Sequence, residues 1–310
     1  MVGAKATNAL AEFFNVSSIR DGQNAKASFK EGKLISYKVE AYSDKTAHGT
    51  SIQFKPDAKI FKEGIELDYT ALKKQIQELA YLSPGLVFHL TFQDKPKETI
   101  TSKNGIVDYM NDLMASKEAV TSMFYTETQE DRMGVKLAMM YNNNYNDVYK
   151  LYTNSIPNTG GTHLTGFRTA LTSSINAYAR EKKLLKDKDT NLTGDELKEG
   201  LVLVLSFIMP DPVFSGQTKE VLSSSEARTV VSRLVAKELG VWFNANPKDA
   251  KAIVDKALLA RAAREKAKKA KETVRNQNEK KQKALKFDSK LADCYSKNRS
   301  QCEIYITEGK

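Results

Sequence analysis

The pattern of apolar and polar residues predicts that the chain begins with strands. Residues 16–55 alternate between apolar and polar side chains, which predicts a meander of antiparallel strands. Asp21-Gly22 and Glu31-Gly32 supply turns, because glycine readily adopts the positive φ that tight hairpins need. Residues 6–14 predict a short helix before the meander. Its apolar side is Leu10, Phe13 and Phe14.

Helical spacing appears next, in residues 68–82, with Asp68 as the predicted N-cap. The residues predicted to face inward are Leu72, Ile76, Leu79 and Ala80. Pro84-Gly85 ends this helix. Strands at 86–93 and 134–141 flank a further helix at about 105–115. This mixture predicts an α+β fold with a sheet packed against helices.

A shift in composition at residues 152–161 predicts a boundary, because Asn, Pro, Thr and Gly dominate there. A second α/β unit follows, with a helix at 165–182, a helix start at 193–196 and a strand at 201–208. That strand is an apolar run with the length of a buried strand, too short to span a membrane. Pro210 and Pro212 end it.

The last long element is a helix from Asn246 to about Lys286, with Asn246 as cap and Pro247 in the first position. Its apolar stripe is narrow and fades after Ala263. The stripe consists of Ile253, Ala257, Leu258 and Ala262.

Charge is concentrated in this helix. The chain of 310 residues carries a net charge of +10. Between Lys251 and Lys286 there are 13 Lys or Arg against 4 Asp or Glu, a balance of +9. We expect a polyanion to meet this segment. The alternative is a solvated helix face with no partner.

Cysteine usage and the absence of targeting signals predict a soluble protein of the cytoplasm with no membrane partner. The two cysteines, Cys294 and Cys302, are too few for a zinc site and predict a reduced pair. The first residues contain no long apolar region and no cleavage signal.

Candidate chemistry lies in the loop that follows strand 201–208. Ser215-Gly216-Gln217-Thr218-Lys219 combines a glycine, hydrogen-bonding side chains and an ammonium, a set suited to holding phosphate. An exposed polar loop after a core strand is the alternative. We predict a structural role for His163, because no residue that could act with it in catalysis stands near it in the sequence.

Several motifs together resemble a known family. Gly160-Gly161-Thr162-His163, then Gln217-Thr218-Lys219, then Leu291-Ala292-Asp293-Cys294 occur in an order and at separations similar to the B subunit of DNA gyrase, topoisomerase IV and phage type II topoisomerases. The resemblance extends from Gly3 to Glu308. It implies an internal fragment of such a subunit.

The resemblance also implies three parts. Residues 1–155 correspond to the C-terminal part of a GHKL-type ATPase domain. Residues 156–286 correspond to a transducer domain, folded like the second domain of ribosomal protein S5 and ending in the long basic helix. Residues 287–310 correspond to the start of a toprim domain.

Site residues follow from the same resemblance, with ATP and Mg²⁺ as cofactors. The ATP contacts would be Val2, Gly3, Asn8 and Thr50. Lys219 would be catalytic, supported by Gln217, because a lysine can neutralise charge developing on a γ-phosphate. Earlier glycines of the family's lid are absent, and Met1 stands where one is expected.

The basic helix would line a cavity for double-stranded DNA and contact phosphates without regard to sequence. The residues concerned are Arg261, Arg264, Lys268, Lys271 and Arg275. Glu308 would be a Mg²⁺ ligand at the end of an apolar-alternating strand. Lys310 stands where the family's Glu-Gly-Asp pattern has aspartate.

The predicted function is part of an ATP-dependent type II topoisomerase that couples ATP binding and hydrolysis to duplex passage and a change of supercoiling. Its partners would be DNA, the A subunit, a second copy through the ATPase region, and the missing N-terminal and toprim portions. We expect the fragment to be inactive alone, from a divided or truncated gene. The alternatives are a non-enzymatic DNA-binding remnant and another GHKL ATPase, such as a mismatch-repair relative.

Overall fold

The computed structural model describes residues 3–285, 296 and 298–304, without the side chains of 276–285 and 299. Two compact units are present. The first comprises Met1–Ile76 with Leu90–Lys97, and the second comprises Gln77–His89 with Glu98–Lys310. The positions of Val2, Cys294 and Glu308, and of the motif at 291–294, lie outside the described residues.

The first unit is built on a four-stranded antiparallel sheet. A short helix, α1, covers Gly3–Ala9, and the strands are β1 (Ala11–Arg20), β2 (Gln23–Lys30), β3 (Lys33–Ala41) and β4 (Gly49–Pro56). Their order is β3-β2-β1-β4. Both predicted turns are confirmed, since Asp21, Gly22, Glu31 and Gly32 all have positive φ, as type I′ hairpins require.

The predicted helix at 6–14 is wrong in its second half. Phe13 and Phe14 belong to β1, and Leu10, between the helix and the strand, is exposed. Phe14 pairs with Phe29 of β2 on one side and with Phe54 of β4 on the other. Three phenylalanines side by side on one sheet face favour the strand over the helix.

The α2 helix covers Tyr69–Leu82, close to the prediction, and the Asp68 carboxylate accepts a hydrogen bond from the Ala71 amide (3.0 Å). Its inward face differs from the prediction. Leu79 is exposed, whereas Ala80 and Tyr81 are buried. Tyr81 stacks on Tyr109, with ring centroids 4.7 Å apart.

The segment after α2 contains β5 (Phe88–Leu90), β6 (Glu98–Ile100) and α3 (Ile106–Met114). The strand predicted at 86–93 is therefore shorter, and it pairs with β6 in a two-stranded ribbon. The helix predicted at 105–115 is confirmed.

A five-stranded sheet forms the centre of the second unit. The remaining strands are β7 (Phe124–Glu130), β8 (Met133–Tyr141), β9 (Val148–Thr153), β10 (Ile156–Asn158), β11 (Gly160–Gly161), β12 (Leu201–Ile208) and β13 (Val221–Leu222). The sheet order is β10-β9-β12-β8-β7. β12 runs parallel to β9 and antiparallel to β8, and its residues 201–207 are buried. The boundary predicted after residue 155 falls inside the β9–β10 hairpin of this sheet.

Helices pack against this sheet. They are α4 (Thr162–Glu181), α5 (Gly194–Leu197), α6 (Ser225–Ala245) and α7 (Pro247–Leu285), and a 3₁₀ turn covers Arg299–Gln301. α5 begins with a capping box, in which Thr193 Oγ1 accepts from the Glu196 amide and the Thr193 amide donates to Glu196 Oε2. None of the helices in the described part of the chain is long and apolar enough to cross a membrane.

α7 changes character along its length. Ala250, Ile253, Val254, Ala257 and Ala260 are buried, whereas residues 262–275 are exposed. Ala262, predicted within the apolar stripe, is therefore on the surface. Asn246 precedes the helix as predicted, but its side chain donates to the carbonyl of Trp242 at the end of α6.

Candidate functional site

The loop after β12 presents Gln217 and Lys219 to solvent. Both residues are exposed, and Lys219 has a left-handed backbone with φ of 58°. The Lys219 amide donates to the Gly216 carbonyl (3.1 Å), and its ammonium lies 6.0 Å from the centre of the Phe214 ring. The structure thus fixes the backbone of this loop while its polar side chains remain accessible.

The two most distinctive motifs are neighbours in space. β11 contains Gly160 and Gly161 and runs parallel to β13, which begins two residues after Lys219. A side chain at Gly161 would place its Cβ 2.6 Å from the Leu222 carbonyl oxygen, and Gly161 has φ of 141°. Glycine is required there for the strand after Lys219 to approach the start of α4.

His163 is fully buried in the first turn of α4. Neither of its ring nitrogens has a hydrogen-bond partner among the described residues. Burial lowers the pKa of the imidazole to about 4, so it is neutral at physiological pH. This burial is consistent with the predicted structural role of His163.

Thr50, one of the predicted ATP contacts, lies beside a cavity in the first unit. The cavity has a volume of about 540 Å³ and is lined by residues 18–21 and 45–50, with Arg20 and Lys45 among them. Thr50 Oγ1 is 3.3 Å from the hydroxyl of Ser18 on the neighbouring strand. The wall of the cavity therefore has hydroxyl groups, two cations and the carboxylate of Asp21, which is 3.4 Å from the Arg20 guanidinium.

Gly3 and Asn8, the other described ATP candidates, lie on α1 near the opposite end of β1. Ala11 pairs with Pro56, and Ser18 pairs with Thr50. Seven residues of strand separate these pairs by about 23 Å. The Asn8 amide oxygen is buried without a partner among the described residues, so it could accept a hydrogen bond from a ligand. The structure does not bring Asn8 and Thr50 together.

Four of the predicted DNA contacts share one face of α7. Arg264, Lys268, Lys271 and Arg275 follow each other by four, three and four positions, the spacing of a helical stripe. Ala267 and Glu272 complete this face, and the Lys268 ammonium is 4.0 Å from the Glu272 carboxylate. We call this surface the basic face. It can neutralise a row of phosphates.

Arg261 faces the protein instead. Its guanidinium pairs with both oxygens of Glu196 (2.8 Å each) and donates to the carbonyls of Thr190 and Asn191. The Arg261 and Glu196 side chains are 16% and 10% exposed. Burial raises the pKa of the Glu196 carboxyl, but the hydrogen bonds from Arg261 and Thr193, together with the charge of Arg261, outweigh burial and leave the pKa below its usual value. The pair fixes α7 to α5.

Sequence reasoning missed a polar groove on α4. It has a volume of about 830 Å³, and Thr165, Arg168, Thr172, Asn176 and Arg180 line it. The Arg168 guanidinium lies over the Tyr149 ring, 5.1 Å from its centre. The sequence feature that could have predicted this groove is the helical spacing of hydroxyl, amide and guanidinium side chains in residues 165–180.

Among the described residues, no group of three His, Cys, Asp or Glu side chains could hold a metal ion. The predicted ligand Glu308 lies outside them. The described residues therefore provide no fitting Mg²⁺ site.

Comparison with known proteins places these motifs in context. The family model described as DNA gyrase B matches residues 105–273. The chain belongs to the DNA gyrase B family. It is 39% identical to the gyrase B proteins of Clostridium acetobutylicum and Campylobacter jejuni, in each case over 99% of this chain and over 48% and 40% of those proteins. The chain thus spans about half the length of the curated gyrase B relatives.

Solved structures of gyrase B and topoisomerase IV support the mixed α+β fold. The 43K ATPase domain of Thermus thermophilus gyrase B, solved with an aminocoumarin, has a TM-score of 0.69 at 33% identity and covers 88% of this chain and 74% of its own. The ATP-binding domain of Francisella tularensis topoisomerase IV has a TM-score of 0.72 at 26% identity, covering 83% and 71%. The fold therefore resembles the ATPase domains of these enzymes.

Proposed function

We propose that the chain is part of an ATP-dependent type II topoisomerase B subunit and couples ATP binding and hydrolysis to duplex passage. The observation that carries the proposal is the exposed Lys219, on a loop held against the Gly-Gly-Thr-His segment of a gyrase B family chain. An ammonium fixed in this way is suited to neutralising charge on a γ-phosphate. Gln217, two positions before it, supports the same phosphate.

The proposed nucleotide contacts in the first unit are Gly3, Asn8 and Thr50, with Val2 beside them in the sequence. The cavity next to Thr50 is the feature that fits part of a nucleotide. The unpartnered amide oxygen of Asn8 lies about 23 Å away along β1, so the two groups would not meet the same part of a nucleotide. The proposed transducer comprises residues 156–286, followed by the start of toprim. Mg²⁺ would be bound through Glu308 and residues beyond this chain.

The apolar face of the first sheet supports a partner that supplies the rest of the ATPase domain. This face consists of Phe14, Val16, Ala25, Ala27, Phe29, Tyr37, Val39, Ile52 and Phe54, as the strand registers show. Tyr37, Ile52 and Phe54 are 65%, 56% and 49% exposed. A sheet face of this composition needs a covering layer. We assign that role to the amino-terminal part of the ATPase domain. The A subunit and a second copy complete the proposed enzyme.

The test is complementation. The chain is mixed with the amino-terminal ATPase part of gyrase B from Clostridium acetobutylicum, and ATP hydrolysis is measured with and without duplex DNA. We expect turnover only in the mixture, and a loss of at least about 100-fold in Lys219→Ala, the effect of removing one charge-stabilising donor. Lys103→Ala, another exposed lysine, is the control. Turnover that survives Lys219→Ala contradicts the proposed role.

The basic face supports a second property, binding of double-stranded DNA by Arg264, Lys268, Lys271 and Arg275. Arg261 was predicted with them, and we assign it to holding α7, because its donors are occupied and its side chain is only 16% exposed. Arg264 also donates to the Asp195 carbonyl through Nη2, but its side chain is 41% exposed. A folded chain that binds DNA but never supports turnover would instead favour the DNA-binding remnant.

DNA binding is tested by fluorescence anisotropy with a short duplex at increasing salt. Alanine at Lys268, Lys271 and Arg275 together should reduce the slope of log affinity against log salt by about 2.7, because each phosphate contact contributes about 0.9. Alanine at Lys103, Lys188 and Lys237, which are exposed elsewhere in the same unit, is the matched control. Equal changes in both triple variants would contradict the assignment to α7.

A further inference from the structure

The β9–β10 hairpin holds both ends of the loop that carries Lys219. At the start of the loop, Asn154 Nδ2 donates to the Met209 carbonyl (2.9 Å) and Asn154 Oδ1 accepts from the Met209 amide (3.0 Å). At its end, Asn158 Nδ2 donates to the Lys219 carbonyl (2.8 Å). One short hairpin thus contacts two residues of the loop that are ten positions apart.

Asn158 is itself held from behind. It is buried, and its Oδ1 accepts a hydrogen bond from Thr153 Oγ1 (2.7 Å). Thr153 is fully buried at the end of β9 in the central sheet. The Thr153 hydroxyl therefore fixes which way the Asn158 amide points, so that its NH₂ group faces Lys219. The next residue, Thr159, donates its amide to the Glu220 carbonyl (2.8 Å).

The rest of the loop is tied to itself and to β13. The Val213 amide donates to Ser224 Oγ, and the Ser223 amide donates to the Val213 carbonyl. The Ser215 amide donates to the Val221 carbonyl. Among the described contacts, this leaves residues 216–218 as the outermost part of the loop, with Lys219 at its fixed base.

Lys219 has a backbone conformation that needs such support. Its φ of 58° is in the left-handed region, which residues other than glycine and asparagine rarely adopt. A strained residue persists when surrounding contacts determine its geometry. The hydrogen bond from Asn158 to its carbonyl is a contact of that kind, and it sets the direction in which the lysine side chain leaves the backbone.

We infer that Asn158, supported by Thr153, is a positioning residue for Lys219, and that Asn154 fixes the other end of the same loop. The role of Asn158 in ATP hydrolysis rests on the proposed function of Lys219. The claim that Asn158 and Asn154 hold the loop does not depend on that function. The chain of contacts connects the central sheet to the lysine through Thr153, Asn158 and the Lys219 carbonyl. A change in the sheet edge would thus be transmitted to the lysine.

Asn158→Asp is the informative variant. Aspartate has the same shape and still accepts from Thr153, but an ionised carboxylate cannot donate to the Lys219 carbonyl. Hydrogen exchange of the chain alone should show the Ser215 and Lys219 amides exchanging about 3- to 10-fold faster, the effect of losing one ordinary hydrogen bond. Amides of β8 and β12 should be unchanged. Asn244→Asp is the matched control, because Asn244 Nδ2 also donates to a backbone carbonyl, that of Gly240, but within α6.

The functional half is tested by a double-mutant cycle in the complemented ATPase. Asn158→Asp should lower kcat, and in a Lys219→Ala background it should have no further effect, because its contribution passes through the lysine. A purely structural asparagine would lower activity equally in both backgrounds, which overturns the positioning role. Unchanged hydrogen exchange of the Ser215 and Lys219 amides would show that Asn158 does not hold the loop. Lys219→Ala could leave ATP turnover intact while Asn158→Asp still speeds amide exchange in the loop. In that case the proposed function of Lys219 is wrong, but Asn158 does hold the loop.

Discussion

His163 is a buried neutral imidazole, and this gives the second unit a predictable dependence on pH. Burial lowers the pKa of the folded-state imidazole to about 4, against about 6.5 in an unfolded chain. Between these values the unfolded chain binds more protons than the folded one. Stability therefore rises with pH in this window and is lost as the pH falls from 6.5 towards 4.

We expect His163→Leu to reduce the pH dependence of stability. With the two pKa values above, the histidine should make the wild type about 2 kcal/mol less stable at pH 5 than at pH 7. The leucine variant should lack this contribution in urea unfolding at the two pH values. His89→Leu, at an exposed histidine of the same unit, is the control. An unaltered difference in His163→Leu would show that the imidazole does not titrate as its burial indicates.

Arg261 gives a second prediction for a single residue. Arg261→Met should destabilise the chain by about 3 kcal/mol, because it leaves the buried Glu196 carboxylate without its cation. Lys251→Met removes an exposed partner of Asp255 and should change stability by less than about 0.5 kcal/mol. Urea denaturation measures both. Equal effects would mean that the Arg261–Glu196 pair is no more important than a surface pair.

Residue types revealed part of the site in advance. The loop at 215–219 and the glycines at 160–161 were identifiable from sequence because each is an unusual local pattern. The role of Arg261 was not, because it is one of several similar cations on α7 and only the distant capping box at Glu196 distinguishes it. Asn158 was missed for the same reason, since its partner Lys219 is brought near by β11–β13 pairing.

At the scale of elements, α4 and α6 cross where Gly166 meets α6. A Cβ at Gly166 would lie 2.6 Å from the Arg228 carbonyl oxygen and 3.1 Å from the Val231 Cβ. The backbones are therefore as close as the helices permit, and glycine makes this approach possible.

Gly166→Ala should destabilise the second unit by about 2 kcal/mol or more, because overpacking must push the two helices apart. Gly240→Ala is the matched control. It is a helical glycine of α6 at which an added Cβ would meet nothing within 4 Å, so alanine there should stabilise by about 0.5–1 kcal/mol through helix propensity. Thermal unfolding measures both variants. Similar changes at the two positions would contradict the close contact.

Elements with strong periodicity or clear caps were predicted well, and short or ambiguous ones were not. The buried run of β12, the capped helix α2 and the proline-initiated α7 were confirmed. The helix predicted at 6–14 failed because Phe13 and Phe14 suit either a helix face or a strand, and only pairing with Phe29 and Phe54 decides between them. Leu79 was misplaced because Tyr81 packs inward by stacking on Tyr109.

At the scale of the whole molecule, the first sheet has two unlike faces. Opposite its apolar face, most side chains are polar or ionic, with Lys26 and Lys38 both paired to Glu40; Phe13 and Ile19 are the exceptions on β1. The contrast follows from the alternation of side chains along the four strands, which is interrupted by register shifts at Ala11–Phe13 and Ser28–Phe29. It was visible in the sequence as a meander, but which face would remain exposed was not, because that depends on how distant elements pack and not on the local pattern.

The two faces should respond differently to charge. Ile52→Asp should weaken binding of the amino-terminal ATPase part of a gyrase B relative by at least about 10-fold, because an unpaired carboxylate is costly to bury. Gln53→Asp, the next residue on the same strand but on the polar face, should leave binding unchanged. Isothermal titration calorimetry measures both affinities. Equal weakening by the two variants would exclude the apolar face as the docking surface.

The insertion of β12 between β9 and β8 determines what a nascent chain can build during synthesis. The hairpins β7–β8 and β9–β10 are complete before α4, α5 and β12 leave the ribosome, yet in the final sheet only β12 joins them. Until Leu201–Ile208 emerges, each hairpin has an open inner edge with unpaired amides and carbonyls. The open hairpin edges of the emerging chain can therefore pair with other chains or bind chaperones. This exposure ends when β12 emerges and pairs with both hairpins.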